Sequence, residues 1–67
     1  MASRGRYYLR GQVIQKRQAG VILGSMYRMP QSAATSQFEA LARNYFRCNP
    51  MATYYMDSNT GVIYTRA

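Results

Sequence analysis

The chain has one cysteine and no histidine in 67 residues, and these two scarcities constrain how it can hold a fold. A chain of this size buries only about 60% of the surface that its unfolded form exposes. Below roughly 70 to 80 residues a single core rarely supplies more than about 3–5 kcal/mol, so small domains usually add disulfides, a metal or a partner. Cys48 has no second thiol to bridge, and one thiol without imidazoles leaves too few ligands for structural zinc. No metal and no cofactor are expected. A partner remains, so residues 1–67 are read as a single domain that forms a homodimer or a subunit of a larger complex.

Charge points to the kind of partner. Nine basic residues stand against two acidic ones, a net charge of +7. Residues 1–38 carry Arg4, Arg6, Arg10, Lys16, Arg17 and Arg28 with no acid, whereas residues 39–67 set Arg43, Arg47 and Arg66 against Glu39 and Asp57. Such an excess repels itself and attracts polyanions, so the expected partner is an acidic macromolecule, nucleic acid or acidic protein.

The same inventory argues against catalysis. General acid–base and nucleophilic mechanisms draw mostly on histidine, paired carboxylates or an activated cysteine or lysine. Glu39 and Asp57 lie eighteen residues apart in the sequence, so neither forms a local pair. No catalytic residue is assigned and the chain is read as a non-enzymatic binding module. The longest aliphatic run is Val21-Ile22-Leu23, far short of the roughly 20 apolar residues of a membrane span. An unpaired cysteine fits a reducing intracellular compartment, cytoplasm or organelle stroma.

Turn residues divide the chain into five expected elements. Residues 6–16 alternate as a half-buried strand, with Tyr7, Leu9 and Val13 on one face and Tyr8, Arg10, Gln12 and Ile14 on the other. Gly11 marks a bulge in it. After a loop at 17–20, residues 21–29 read as a second strand that Pro30 ends. Ser36-Gln37-Phe38-Glu39 matches a capping box, with an earlier helix start near Ser32 as the alternative. Phe38, Leu41, Ala42, Tyr45 and Cys48 then form an apolar stripe, and Glu39 precedes Arg43 in the order that favours a helical ion pair. Asn49-Pro50 stops the helix. Residues 52–56 and 62–65 read as a hairpin around an Asp57-Ser58-Asn59-Thr60-Gly61 turn.

The expected fold is therefore α+β: a two-layer ββαββ domain whose antiparallel sheet carries one helix on one face. Its expected core is Leu9, Val13, Ile22, Phe38, Leu41, Tyr45, Tyr54, Val62 and Tyr64. Met26, Met29, Met51 and Met56 are expected to fill gaps in it, and Cys48 to be buried.

The candidate binding residues are Arg4, Arg6, Tyr8, Arg10, Lys16 and Arg17. Guanidinium forks grip phosphate oxygens and tyrosine rings stack on bases, so arginines interleaved with Tyr7 and Tyr8 suit nucleic acid. An ordinary structural use competes: Tyr7 as core, Tyr8 as a cross-strand partner, and the arginines as a solvated edge. Eight of the nine basic residues are arginine, a bias that favours planar, bidentate recognition and that a GC-rich coding sequence would equally produce.

Tyr27-Arg28-Met29-Pro30, the helix behind it and the Thr53-to-Met56 strand resemble the layout of CpcD-type phycobilisome linker domains, small basic modules with a strand, a tyrosine-to-proline step, a helix and a return strand. The resemblance covers about half the chain, and Asn49-Pro50 stands where that family has a glycine pair. It implies an assembly or linker subunit that docks on acidic protein surfaces. No functional residue follows from it.

Overall fold

The computed structural model describes residues 5–66. Its first turn comes where a bulge was expected. Arg10 and Gly11 both take positive φ, 52° and 80°, the geometry of a two-residue turn whose twist matches that of paired strands. The chain therefore folds back at once: β1 (Tyr7–Leu9) pairs antiparallel with β2 (Gln12–Ile14). Reversal changes the faces. Tyr8 lies opposite Val13 and Tyr7 opposite Ile14, so Val13 moves to the Tyr8 side and Ile14 to the Tyr7 side.

The expected second strand is a helix, α1 (Lys16–Tyr27). Valine, isoleucine and leucine in a row favour extended chain locally, but Ala19, Gly20, Leu23 and Gly24 share one buried stripe at helical spacing. The small residues admit close packing. A Cβ built on Gly20 would stand 3.2 Å from Gln31, and one on Gly24 only 2.6 Å from the Met29 carbonyl. The Met29 N–H closes the helix onto the Gly24 carbonyl at 2.9 Å.

Helix α2 (Gln31–Cys48) begins directly after Pro30, five residues ahead of the Ser36 capping box and near the alternative start at Ser32. Proline is preorganised for a helix start, and its carbonyl accepts from the Ala34 N–H at 2.9 Å. Ser36 is an exposed mid-helix residue. The buried face is Ala34, Thr35, Phe38, Ala42 and Phe46, a stripe rotated from the expected one. It runs in steps of four because α2 must face α1 and the sheet together. Leu41 and Tyr45 are thereby left 46% and 41% exposed, and Cys48 is exposed as well.

The closing hairpin forms as expected. β3 (Tyr54–Met56) and β4 (Ile63–Thr65) pair antiparallel. Asp57 Oδ2 accepts from the Thr60 N–H at 3.0 Å and the Thr60 hydroxyl at 2.8 Å, and Gly61 has φ 82°. β4 also pairs with β1, giving one antiparallel sheet in the order β2-β1-β4-β3.

The fold is thus α+β with a four-stranded antiparallel sheet, and the connectivity is ββααββ in place of ββαββ. The core holds Tyr7, Leu23, Phe38, Phe46, Val62, Tyr64 and three alanines, with Leu9 and Ile22 partly buried against it. Phe38, Val62 and Tyr64 occupy their expected places. Val13, Leu41, Tyr45 and Tyr54 do not, and neither do Met26, Met51 and Met56, all of them exposed. Met29 alone of the four expected methionines packs on the core. Tyr27 ends α1 and residues 28–30 turn the chain into α2, so a helix stands where the linker layout has the strand that precedes this step.

Candidate functional site

The register of the sheet sorts its side chains into two sets. Tyr7, Leu9, Ile14, Tyr55 and Tyr64 face the helices. There the rings of Tyr7 and Tyr64 lie 4.9 Å apart, and Phe38 of α2 sits 5.5 Å from Tyr55. Among the described residues no helix covers the opposite face. Across it Val13, Tyr8, Ile63 and Met56 form one continuous row from β2 to β3. A second row holds Tyr54 opposite Thr65 and continues to Arg6, whose carbonyl accepts from the Thr65 N–H at 2.9 Å. Val13 is 62% and Tyr54 54% exposed.

Both acids lie on the helix side and are engaged there. Glu39 accepts a hydrogen bond from the Tyr7 hydroxyl, with Lys16 Nζ 3.6 Å and an Arg43 guanidinium nitrogen 3.9 Å from its oxygens. The expected Glu39–Arg43 pair is therefore present. Burial, then the bond to Glu39, raises the pKa of Tyr7 well above the ordinary tyrosine value. Asp57 accepts from the Tyr27 hydroxyl at 2.6 Å, which ties the end of α1 to the β3–β4 turn. This bond raises the Tyr27 pKa, while an Asn59 amide donating to the same hydroxyl at 2.9 Å opposes the shift.

The six candidate residues separate into groups. Arg4 lies outside the described residues. Tyr8 is central on the helix-free face, paired across strands with both Val13 and Ile63. Arg10 occupies the tip of the β1–β2 hairpin at one end of the sheet. Arg6 stands at the other end, where the groove that it lines with Val13 and Lys16 reaches round the sheet edge to Glu39 on the helix side. Lys16 and Arg17 form the first turn of α1. Cations are unfavourable at that end of the helix dipole, and Glu39 offsets one of them. Among the described residues Arg17 donates to the Gln15 side chain, at 3.3 Å.

Sequence reasoning missed Tyr54, Val13, Ile63 and Met56 as members of a surface, and placed Tyr54, Val13 and Met56 in the core. The alternation Tyr54-Tyr55-Met56 sends only one of the tyrosines inward; the expected core took Tyr54, whereas Tyr55 is the one that packs against the core. Arg66 is committed elsewhere: its guanidinium lies 5.4 Å from the centre of the Phe46 ring and donates to the Pro50 and Ala52 carbonyls. Among the described residues no three histidine, cysteine, aspartate or glutamate side chains come together, and no helix is long and apolar enough to cross a membrane. Comparison with protein families, with curated proteins and with solved structures finds no match to this chain.

Proposed function

We propose that the protein is a non-enzymatic module that holds nucleic acid against its helix-free sheet face. The observation that carries this reading is the division of charge. Glu39 and Asp57 are both engaged on the helix side, while the opposite face is free of acid and has Arg6 and Arg10 at its two ends. A polyanion crossing that face meets cations on arrival and on departure and no carboxylate within its rows, and Glu39, beyond the groove that Arg6 lines, is offset by Lys16 and Arg43.

Arg10 adds support. It holds a left-handed φ of 52° at a turn position where asparagine or glycine is the stable choice. Arg28 has the same geometry, φ 57°, where it ends α1; at the hairpin tip no helix end calls for it, which leaves the side chain as the reason for an arginine there. The partner expected from the chain's size is, on this reading, the nucleic acid, which stabilises the folded state by mass action.

The test is binding of labelled oligonucleotides across a salt series. Neutralising two phosphates, one at Arg6 and one at Arg10, gives a log–log slope of roughly −1.8 on duplex and roughly −1.4 on a single strand, and Arg6→Ala flattens it by about one or somewhat less. Oligonucleotides also raise the melting temperature. A chain that binds neither probe at low salt, and that is isolated in a nucleic-acid-free complex with acidic subunits, overturns the proposal in favour of an assembly or linker protein. In that case the exposed Val13, Tyr54 and Met56 serve as anchors for a protein surface.

A further inference from the structure

We infer that the nucleic acid is single-stranded and that its bases stack on Tyr8 and Tyr54; this rests on the nucleic-acid reading above and specifies its substrate. The face offers a platform rather than a ridge. Four strands lie side by side, and the central row Val13, Tyr8, Ile63 and Met56 contains no charged residue. Phosphates gain nothing from such a row. Bases do, because an aromatic ring and apolar neighbours accept the π-face of any base without regard to sequence.

Duplex does not suit this geometry. Its bases are stacked on one another and present only their edges in the grooves, so a flat apolar face finds no partner there. The tyrosine spacing points the same way. Tyr8 and Tyr54 are two strands apart and offset by two residues along the sheet, which places them roughly 12 Å apart at about 4.8 Å per strand and 3.4 Å per residue. Successive stacked nucleotides rise only about 3.4 Å. A strand that reaches both rings must be splayed, with an intervening base over Ile63, as single strands are when they lie on sheet platforms. Arg6 and Arg10, at the ends of β1, are placed to take the phosphates on either side.

A second copy of this chain is a poorer occupant. Pairing two such faces would bring Arg6 and Arg10 of each copy together, with no acid on either face, in a protein of net charge +7. The face is apolar enough to need a cover and too basic to use itself as one.

The experiment compares an eight-nucleotide oligothymidylate with a twelve-base-pair duplex. The chain has no tryptophan, so its emission comes from tyrosine, and the part of the quenching that Tyr8→Ala or Tyr54→Ala removes reports stacking on that ring. Oligothymidylate is expected to bind more tightly than the duplex and to quench. Tyr8→Ala and Tyr54→Ala should each weaken oligothymidylate binding by between about 5- and 150-fold while leaving duplex binding unchanged, and Tyr8→Phe should retain it. Tyr54 lies at the exposed edge of the sheet, so its variant reads the same interaction if Tyr8→Ala fails to fold. Equal affinity for both probes, with Arg6→Ala weakening both and neither tyrosine variant weakening either, overturns stacking and leaves the nucleic-acid reading standing. Binding of neither probe at low salt removes both.

Discussion

Tyr7 and Tyr8 follow each other in the chain, as do Tyr54 and Tyr55, yet the members of each pair meet opposite surroundings. Tyr7 is buried against Tyr64 and Phe38, with its hydroxyl on Glu39, while Tyr8 lies on the face that no helix covers. Tyr55 packs between Phe38 and Tyr45, and Tyr54 is exposed. One residue type serves both faces because a tyrosine has an apolar body for a core and a polar tip for an interface. What separates them is the two-residue period of a strand, which turns each side chain away from the next.

The largest expected effect tests whether the two faces differ in energy as they do in exposure. Phe38→Ala should cost about 3–5 kcal/mol, most of the stability of a domain this small. Tyr54→Ala, measured by the same denaturant titration, should stay within about 0.5 kcal/mol of the parent. Comparable losses would mean that the outer face is covered in solution, and the contrast would collapse. Leu41→Ala belongs with the small effects: a core position was expected for Leu41, but it is 46% exposed.

Tyr7→Phe sharpens the contrast through a hydroxyl. Losing the bond to Glu39 should cost about 1.5–3 kcal/mol at neutral pH. The raised pKa gives the effect a pH signature. Up to the ordinary value of 10.0 the tyrosine is protonated whether folded or unfolded, and its contribution is fully present. Above it the unfolded chain releases the proton that the folded chain keeps, so the contribution falls by at most about 1.4 kcal/mol per pH unit. The stability gap between parent and Tyr7→Phe should therefore be flat below pH 10 and narrow above it. A gap that widens with pH would show that the hydroxyl is not held protonated by the fold.

The smallest effect opposes stability to binding at one residue. Arg10→Asn replaces a strained left-handed arginine with a residue that tolerates that geometry and should stabilise the protein by about 1 kcal/mol. The same change should weaken oligonucleotide binding and flatten its salt dependence by roughly 0.7 to 0.9 in the log–log slope. A variant that melts higher and binds unchanged would make Arg10 a turn residue and nothing more.

Much of the closing hairpin was legible in the sequence because its determinants are local. Asp57 satisfies Thr60 and Gly61 supplies positive φ within a few residues of each other, so no distant contact is needed to specify them. The α+β class, the stop at Asn49-Pro50, the Glu39–Arg43 pair and the placement of Phe38, Val62 and Tyr64 in the core follow from equally short-range patterns. The charge imbalance is a matter of composition alone. Its placement is not: composition could not say that both acids would be drawn to the helix side.

The rest depended on contacts between distant parts of the chain. Residues 21–29 have the local composition of a strand, but β1 already pairs with β2 on one side and β4 on the other, and Gly20 and Gly24 let α1 pack closely on α2 instead. A turn of two residues at Arg10 and Gly11 exchanged Val13 with Ile14, because reversing a strand resets which of its residues face inward. The rotation of α2 that exposed Leu41, Tyr45 and Cys48 came from the need to bury one stripe against a helix and a sheet together. Sequence alone determined that this chain is small, basic and turn-punctuated, since those properties reside in residues and their neighbours. Which tyrosines became core and which became surface was settled only when four strands found their order and two helices covered one side of them.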